Sequence, residues 1–178
     1  DAQRAEFLDN KGKFIGKETV VKKVTATGDK SEDVLQKPLV ITADLEAPQL
    51  IENAGNKLLF KIGEIIGPQD ELYQEQKRQM DGEIAYAHSF GRTLQVTLPA
   101  GYKIKNINDL KLNKKYDLDG KTVSQFTSDF TLDGNTLKVT RYEDYQVLFY
   151  PKERYEEWRA VINASADFNK VVLILEKI

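Results

Sequence analysis

The chain has 178 residues, 26 Lys and Arg against 28 Asp and Glu, one His and no Cys. That length is enough for one core that needs neither disulfides nor a structural metal, and the formal charge of −2 gives no broad attraction for nucleic acid or an anionic membrane. Without a thiol there is no disulfide framework, Cys-ligated zinc, iron–sulfur cluster or cysteine nucleophile, and one imidazole excludes any site that needs two.

The first ten residues read as the frayed tail of a helix, and Asp1, with no Met or apolar leader before it, as the start of an excised piece. A strand is expected within residues 14–27. Over residues 39–46, Leu39, Ile41, Ala43 and Leu45 alternate with Val40, Thr42, Asp44 and Glu46, the period of two of a half-buried strand. Pro48, Pro68 and Pro99 mark strand ends or corners. Residues 57–66 give another strand and residues 71–78 a short helix. Ile84, Tyr86, His88 and Phe90 alternate with Ala85, Ala87 and Ser89, and Leu94, Val96 and Leu98 with Thr93, Gln95 and Thr97. Further strands are expected over 102–107, 110–118, 122–132 and 136–150. Asp119-Gly120 and Asp133-Gly134 separate the last three and supply the positive φ of tight hairpins, so residues 110–150 read as an antiparallel meander. The charged tetrad Arg141-Tyr142-Glu143-Asp144 predicts a bulge or a break in the last strand.

The period then changes. Between residues 152 and 168, Tyr155, Trp158, Val161, Ile162, Ser165 and Phe168 fall three or four apart, a helical stripe introduced by Pro151 and an acidic first turn. Residues 171–175 are the longest purely apolar run, the signature of a strand covered on both faces and far short of the roughly 20 residues that span a bilayer. The expected fold is therefore mainly β: an antiparallel two-sheet β-sandwich with one C-terminal helix followed by a buried strand. One module over residues 1–178 is expected, with 91–101 as the place where it would subdivide.

Candidate chemistry is sparse. His88 and Ser89 point to opposite faces of a strand and cannot serve each other as base and nucleophile, so His88 reads as a packing residue beside Tyr86 and Phe90. Asp117-Leu118-Asp119-Gly120 begins like a calcium loop, but Lys121 and Ser128 stand where ligands are needed. It reads as a turn, with a surface site from Asp117, Asp119 and Asp133 as the alternative. Lys103, Lys105, Lys111, Lys114 and Lys115 against Asp109 make a basic stripe, read as the solvated face of a strand pair. Glu143 with Asp144, and Glu156 with Glu157, are sequence neighbours rather than carboxylates facing across a cleft. Asn163-Ala164-Ser165 fits a glycosylation sequon but falls inside the predicted helix. The exposed-aromatic signal of a sugar-binding face is densest at Tyr142, Tyr145, Tyr150 and Tyr155, which leaves Tyr142 and Tyr145 as ligand-binding candidates. No catalytic residue, metal ligand or cofactor is expected.

Leu98-Pro99-Ala100-Gly101-Tyr102, Tyr150-Pro151, Tyr155, Asn163-Ala164-Ser165-Ala166-Asp167-Phe168-Asn169-Lys170 and the apolar run after it carry a family resemblance. Asn10-Lys11-Gly12, Phe14 to Gly16, Asn56-Lys57-Leu58-Leu59, Arg78 and Arg92 follow the same order more loosely. The chain resembles the β-rich C-terminal domain of unknown function that closes large exported bacterial proteins built on a transglutaminase-like core. The resemblance implies a periplasmic or cell-surface location in a Gram-negative bacterium. It also implies a non-catalytic accessory role beside that core in the same polypeptide, whose Cys, His and Asp would lie outside this segment. An extracellular carbohydrate- or peptide-binding module is the alternative.

Overall fold

A computed structural model describes residues 6, 10, 15, 16, 18–73 and 75–178. The helix expected over the first ten residues falls mostly outside them. Strands β1 (Val20–Thr27) and β2 (Val40–Glu46) form a hairpin, with a bulge between Val21 and Lys23. Next come β3 (Ile51–Ala54), β4 (Lys57–Phe60), a tight 3-10 turn (Ile62–Ile66), β5 (Gly82–Glu83), β6 (His88–Thr97) and β7 (Tyr102–Ile104). Strands β8 (Leu112–Leu118), β9 (Lys121–Asp133), β10 (Thr136–Tyr145) and β11 (Phe149–Tyr150) lead to helix α1 (Tyr155–Asn169) and the last strand, β12 (Leu173–Lys177).

Two four-stranded antiparallel sheets result, in the orders β6-β10-β9-β8 and β3-β4-β12-β7, with β11 and β5 as a small extra pair. The chain is thus mainly β, with a C-terminal helix followed by a strand. The meander from β8 to β10 turns where Asp-Gly pairs supply positive φ: Asp119 at 50° with Gly120 at 75°, and Gly134 at 56°.

Alternation decides which face of the first sheet is covered. Leu137, Val139, Arg141, Glu143 and Tyr145 of β10 share one face with Ser124, Phe126 and Ser128 of β9, and all eight are buried. The helix lies on that face. Tyr155, Trp158, Val161, Ser165 and Phe168 are buried, as the stripe predicts, together with Ala164 and Ala166, while Ile162 is half-buried. Phe168 meets Phe126 with ring centroids 6.1 Å apart, and Trp158 stacks on Tyr150 at 4.2 Å. Phe60, Leu173 and Leu175 of the second sheet join the same hydrophobic cluster.

Four expectations need correction. Residues 71–78 form no helix among those described, because the backbone N–H and C=O of Leu72 are bonded by the side chain of Asn163 at 2.8 and 3.0 Å instead of by their own turn. The strand expected over 57–66 stops at Phe60, where Gly63 turns beneath the C-terminus of α1; a Cβ on Gly63 would stand 2.2 Å from the Phe168 carbonyl oxygen. Ladder pairing in the segment from Ile84 to Phe90 begins only at His88. The tetrad Arg141 to Asp144 neither bulges nor breaks: β10 keeps continuous register with both neighbours to Tyr145, because Arg141 and Glu143 both point to the covered face and neutralise each other there. The interruption comes at residues 146–148.

Candidate functional site

Pairing of β6 with β10 sets Arg92 beside Arg141, Phe90 beside Glu143 and His88 beside Tyr145. Across from them α1 presents Ile162 and Ser165, one turn apart on the same helix face. A loop then crosses from the Ile62–Ile66 turn. It is tied down by Gln69, whose Nε2 donates to the carbonyls of Gly67 and Pro68 at 3.0 and 2.9 Å. Between sheet, helix and loop lies a cavity of about 290 Å³, lined by Gln69, Asp70, His88, Phe90, Glu143 and Tyr145 among others.

Its deep wall is a buried polar network. Arg141 Nη2 donates to Glu143 Oε2 at 2.6 Å and to Ser165 Oγ at 3.2 Å, and Ser165 Oγ donates in turn to Gln69 Oε1. The two charged side chains are only 1% and 8% exposed, so desolvation makes each depend on the other. Arg141 Nε and Nη1 find no acceptor among the described residues. Its guanidinium stands 5.1 Å over the Phe126 ring. Arg92 donates to the Ile66 carbonyl, and burial, with Arg141 next, lowers its pKa while Glu143 opposes the shift. Burial, then Glu143, pushes the Tyr145 hydroxyl well above its ordinary value, so it stays protonated.

The outer wall is aromatic. The His88 ring lies 5.2 Å from Tyr86, 5.3 Å from Phe90 and 5.0 Å from Tyr145. Its Nδ1 sits 2.9 Å from the Tyr86 carbonyl oxygen, which can only accept, so the ring proton is assigned to Nδ1. His88 is half-buried beside Tyr86 and Phe90, the packing position read from the sequence.

The two tyrosine candidates are not brought together. Three positions apart on one strand, Tyr142 and Tyr145 face opposite sides. Tyr142, 40% exposed, borders a shallow depression of about 410 Å³ on the solvent face, with Asn113, Thr127, Asp129, Thr140 and Lys111. There Lys111 pairs with Asp129 at 3.3 Å, and the Phe130 N–H, with Lys111 next, holds the Asp129 carboxyl below its ordinary pKa.

The remaining candidates are structural. Asp117 accepts a hydrogen bond from Thr122 at 2.6 Å, Asp119 occupies the hairpin turn, and Asp133 ends the far side of the 13-residue β9, about 40 Å away by strand rise. Among the described residues no three His, Asp or Glu side chains gather to hold a metal ion. Lys103, Lys105 and Lys57 surround Glu176 at 3.9, 3.2 and 4.0 Å, and the bond from Lys105 is the main reason that its carboxyl titrates low. Asn163 has its amide bonded to Leu72 in both directions, so it serves the loop rather than a glycan. No described helix is long and apolar enough to cross a membrane.

What sequence reading missed is the network of Arg92, Arg141, Glu143, Ser165 and Gln69. The available signal was Arg141 and Glu143 continuing the i, i+2 series begun by Leu137 and Val139, which puts both on the core face. Chemically the network holds rather than attacks. The hydroxyl of Ser165 is bonded to an amide and a guanidinium, and no described hydroxyl bonds to the imidazole of His88.

Fold and cavity together define a β-rich module with a polar pocket and no nucleophile–base pair among the described residues. Residues 57–175 match the Domain of Unknown Function with solved structure, DUF3858, and the chain belongs to that family. It is also similar to part of a crystal structure of a "putative protease" from Parabacteroides distasonis ATCC 8503, at 20% identity and a TM-score of 0.46. That likeness covers 58% of this chain and 19% of the other, so it reaches less than a fifth of the larger protein. No curated protein matches the chain.

Proposed function

We propose that residues 1–178 form a single non-catalytic accessory module of a larger exported protein, packing beside a transglutaminase-like core in the same polypeptide. The observation that carries this reading is the bonding of Ser165 and His88. The Ser165 hydroxyl on the cavity wall is held by Gln69 and Arg141, and the imidazole leans on a backbone carbonyl, so the pocket is built to bind or position rather than to cleave. The sequence resemblance supports the exported, periplasmic or cell-surface setting. We read the two four-stranded sheets as the leaves of a β-sandwich, supported by their common hydrophobic cluster. Deleting residues 57–175 from the parent protein tests the role. The core should lose solubility or stability or change its substrate selection, and a core unaltered in all three would refute it.

A second reading is supported by the depression around Tyr142, where a half-exposed ring is flanked by the amide of Asn113 and the carboxylate of Asp129, the equipment of a carbohydrate- or peptide-binding face. Saturable binding on a glycan array, lost on Tyr142→Ala, would favour it over the first.

A further inference from the structure

The cavity between β6, β10 and α1 has an uneven supply of hydrogen-bonding groups. Nearly every donor on its lining is already engaged: Ser165 Oγ gives its proton to Gln69, and Gln69 Nε2 gives its own to backbone carbonyls. The His88 proton is held by the Tyr86 carbonyl, leaving Nε2 as an acceptor. Among the described side chains of the lining, only the Tyr145 hydroxyl offers a further donor. The acceptors are open. Glu143 binds Arg141 through Oε2, and no described residue donates to its Oε1 or to the carboxylate of Asp70. The rings of Phe90, His88 and Tyr145 wall the same space, with Phe90 45% exposed at the mouth.

We propose that this cavity is a subsite for the cationic side chain of a bound polypeptide, the ammonium of a lysine or the guanidinium of an arginine. Such a group offers only donors, which matches open carboxylate and imidazole acceptors, and it is attracted to aromatic faces. A sugar brings as many acceptors as donors and would leave most of its acceptors without partners here. An anion would meet Asp70 and Glu143, while the free N–H groups of Arg141 are buried out of reach. Arg92 and Arg141 balance Glu143 and Asp70, so the preference comes from the donor–acceptor pattern and the rings rather than from bulk charge. At about 290 Å³, just below the ~300–1,000 Å³ range of ligand pockets, the space admits one side chain. The subsite does not depend on the accessory reading, since it is a property of the 178-residue chain alone.

The test titrates the whole chain, by calorimetry or NMR, with an acetylated and amidated Gly-Lys-Gly peptide, the same peptide acetylated on the lysine Nε, and butylammonium. The lysine peptide should bind saturably, acetylation should weaken it at least about tenfold, and butylammonium should bind more weakly than the peptide. Asp70→Asn and Phe90→Ala leave the buried Arg141–Glu143 pair intact, and with unchanged circular dichroism each should weaken the peptide about three- to tenfold. No binding at millimolar peptide would overturn the proposal, as would equal binding after acetylation or indifference to both substitutions. Butylammonium binding as tightly as the peptide would overturn the polypeptide as the source of the cation.

Discussion

Arg141 and Glu143 provide the sharpest energetic test of the covered sheet face. Arg141→Met keeps most of the side-chain volume over the Phe126 ring and removes the charge, leaving a Glu143 carboxylate that is 8% exposed without its 2.6 Å partner. Breaking one side of a buried pair costs about 3–5 kcal/mol, and Glu143→Leu alone should cost a similar amount by stranding the guanidinium. The double variant removes both charges together. It also removes two guanidinium nitrogens that have no acceptor, so it should lie between neutral and about 1–4 kcal/mol more stable than the parent. In a chain of 178 residues each single change should lower Tm by about 6–20 °C, a loss that the double variant restores. Urea unfolding at neutral pH measures all four corners of the cycle. If each single change costs under about 1 kcal/mol and the double is their sum, the pair is neither buried nor coupled, and the deep wall of the cavity is misassigned.

Trp158→Ala removes a ring that is 5% exposed, stacked on Tyr150 and edge-on to Tyr155 at 5.4 Å; it should cost about 3–5 kcal/mol in denaturant unfolding, and a loss under about 1 kcal/mol would mean that α1 is not docked there. Gly63→Ala places a Cβ 2.2 Å from the Phe168 oxygen and 2.5 Å from the Asn169 oxygen, both backbone atoms, and should destabilise by at least about 1–3 kcal/mol; a neutral result would show the turn free to move. Burial raises the hydroxyl pKa of Tyr145 and Tyr150, so their contribution to stability is complete below the unfolded value of about 10 and declines as pH rises through the folded values. The last tyrosinate absorbance to appear, that of the buried rings, should therefore rise together with the loss of circular dichroism at alkaline pH, after the exposed tyrosines have ionised. Full ionisation near pH 10 in a chain that stays folded would contradict the burial.

Legibility in the sequence followed the range of the interaction. The helix could be read because Tyr155, Trp158, Val161 and Phe168 lie three or four apart, and the meander because Asp119-Gly120 and Gly134 mark its corners; both signals are local. The pairing of Gly82–Glu83 with Phe149–Tyr150 joins two-residue strands more than sixty positions apart and leaves no period to detect. The helix expected over residues 71–78 fails for a similar reason, since its backbone partner, Asn163, lies 91 residues away. The cavity is the extreme case. Gln69 and Ser165 are 96 positions apart, and Arg141 with Glu143 look from sequence like an interruption because charge argues for solvent until a partner is known. Tyr142 and Tyr145 were legible as aromatics but not as one surface, since their separation on a strand sends them to opposite sides.

Strand β12 occupies the interior of its sheet, with Leu173 opposite Phe60 and Leu175 opposite both Leu58 and Ile104. Of the strands described it is also the last to be synthesised. Until residues 173–177 emerge, β4 and β7 have no common neighbour, and their inward edges stay unsatisfied however early they were synthesised. A nascent chain can close the β8–β10 meander and the β3–β4 hairpin as they are made, but must hold the inward edges of β4 and β7 open until the end of translation of this segment. Residues 57–60 and 102–104 are thus the stretches most exposed to wrong partners during biosynthesis. Deleting only residues 173–177 would leave an aggregation-prone chain rather than a slightly shortened module.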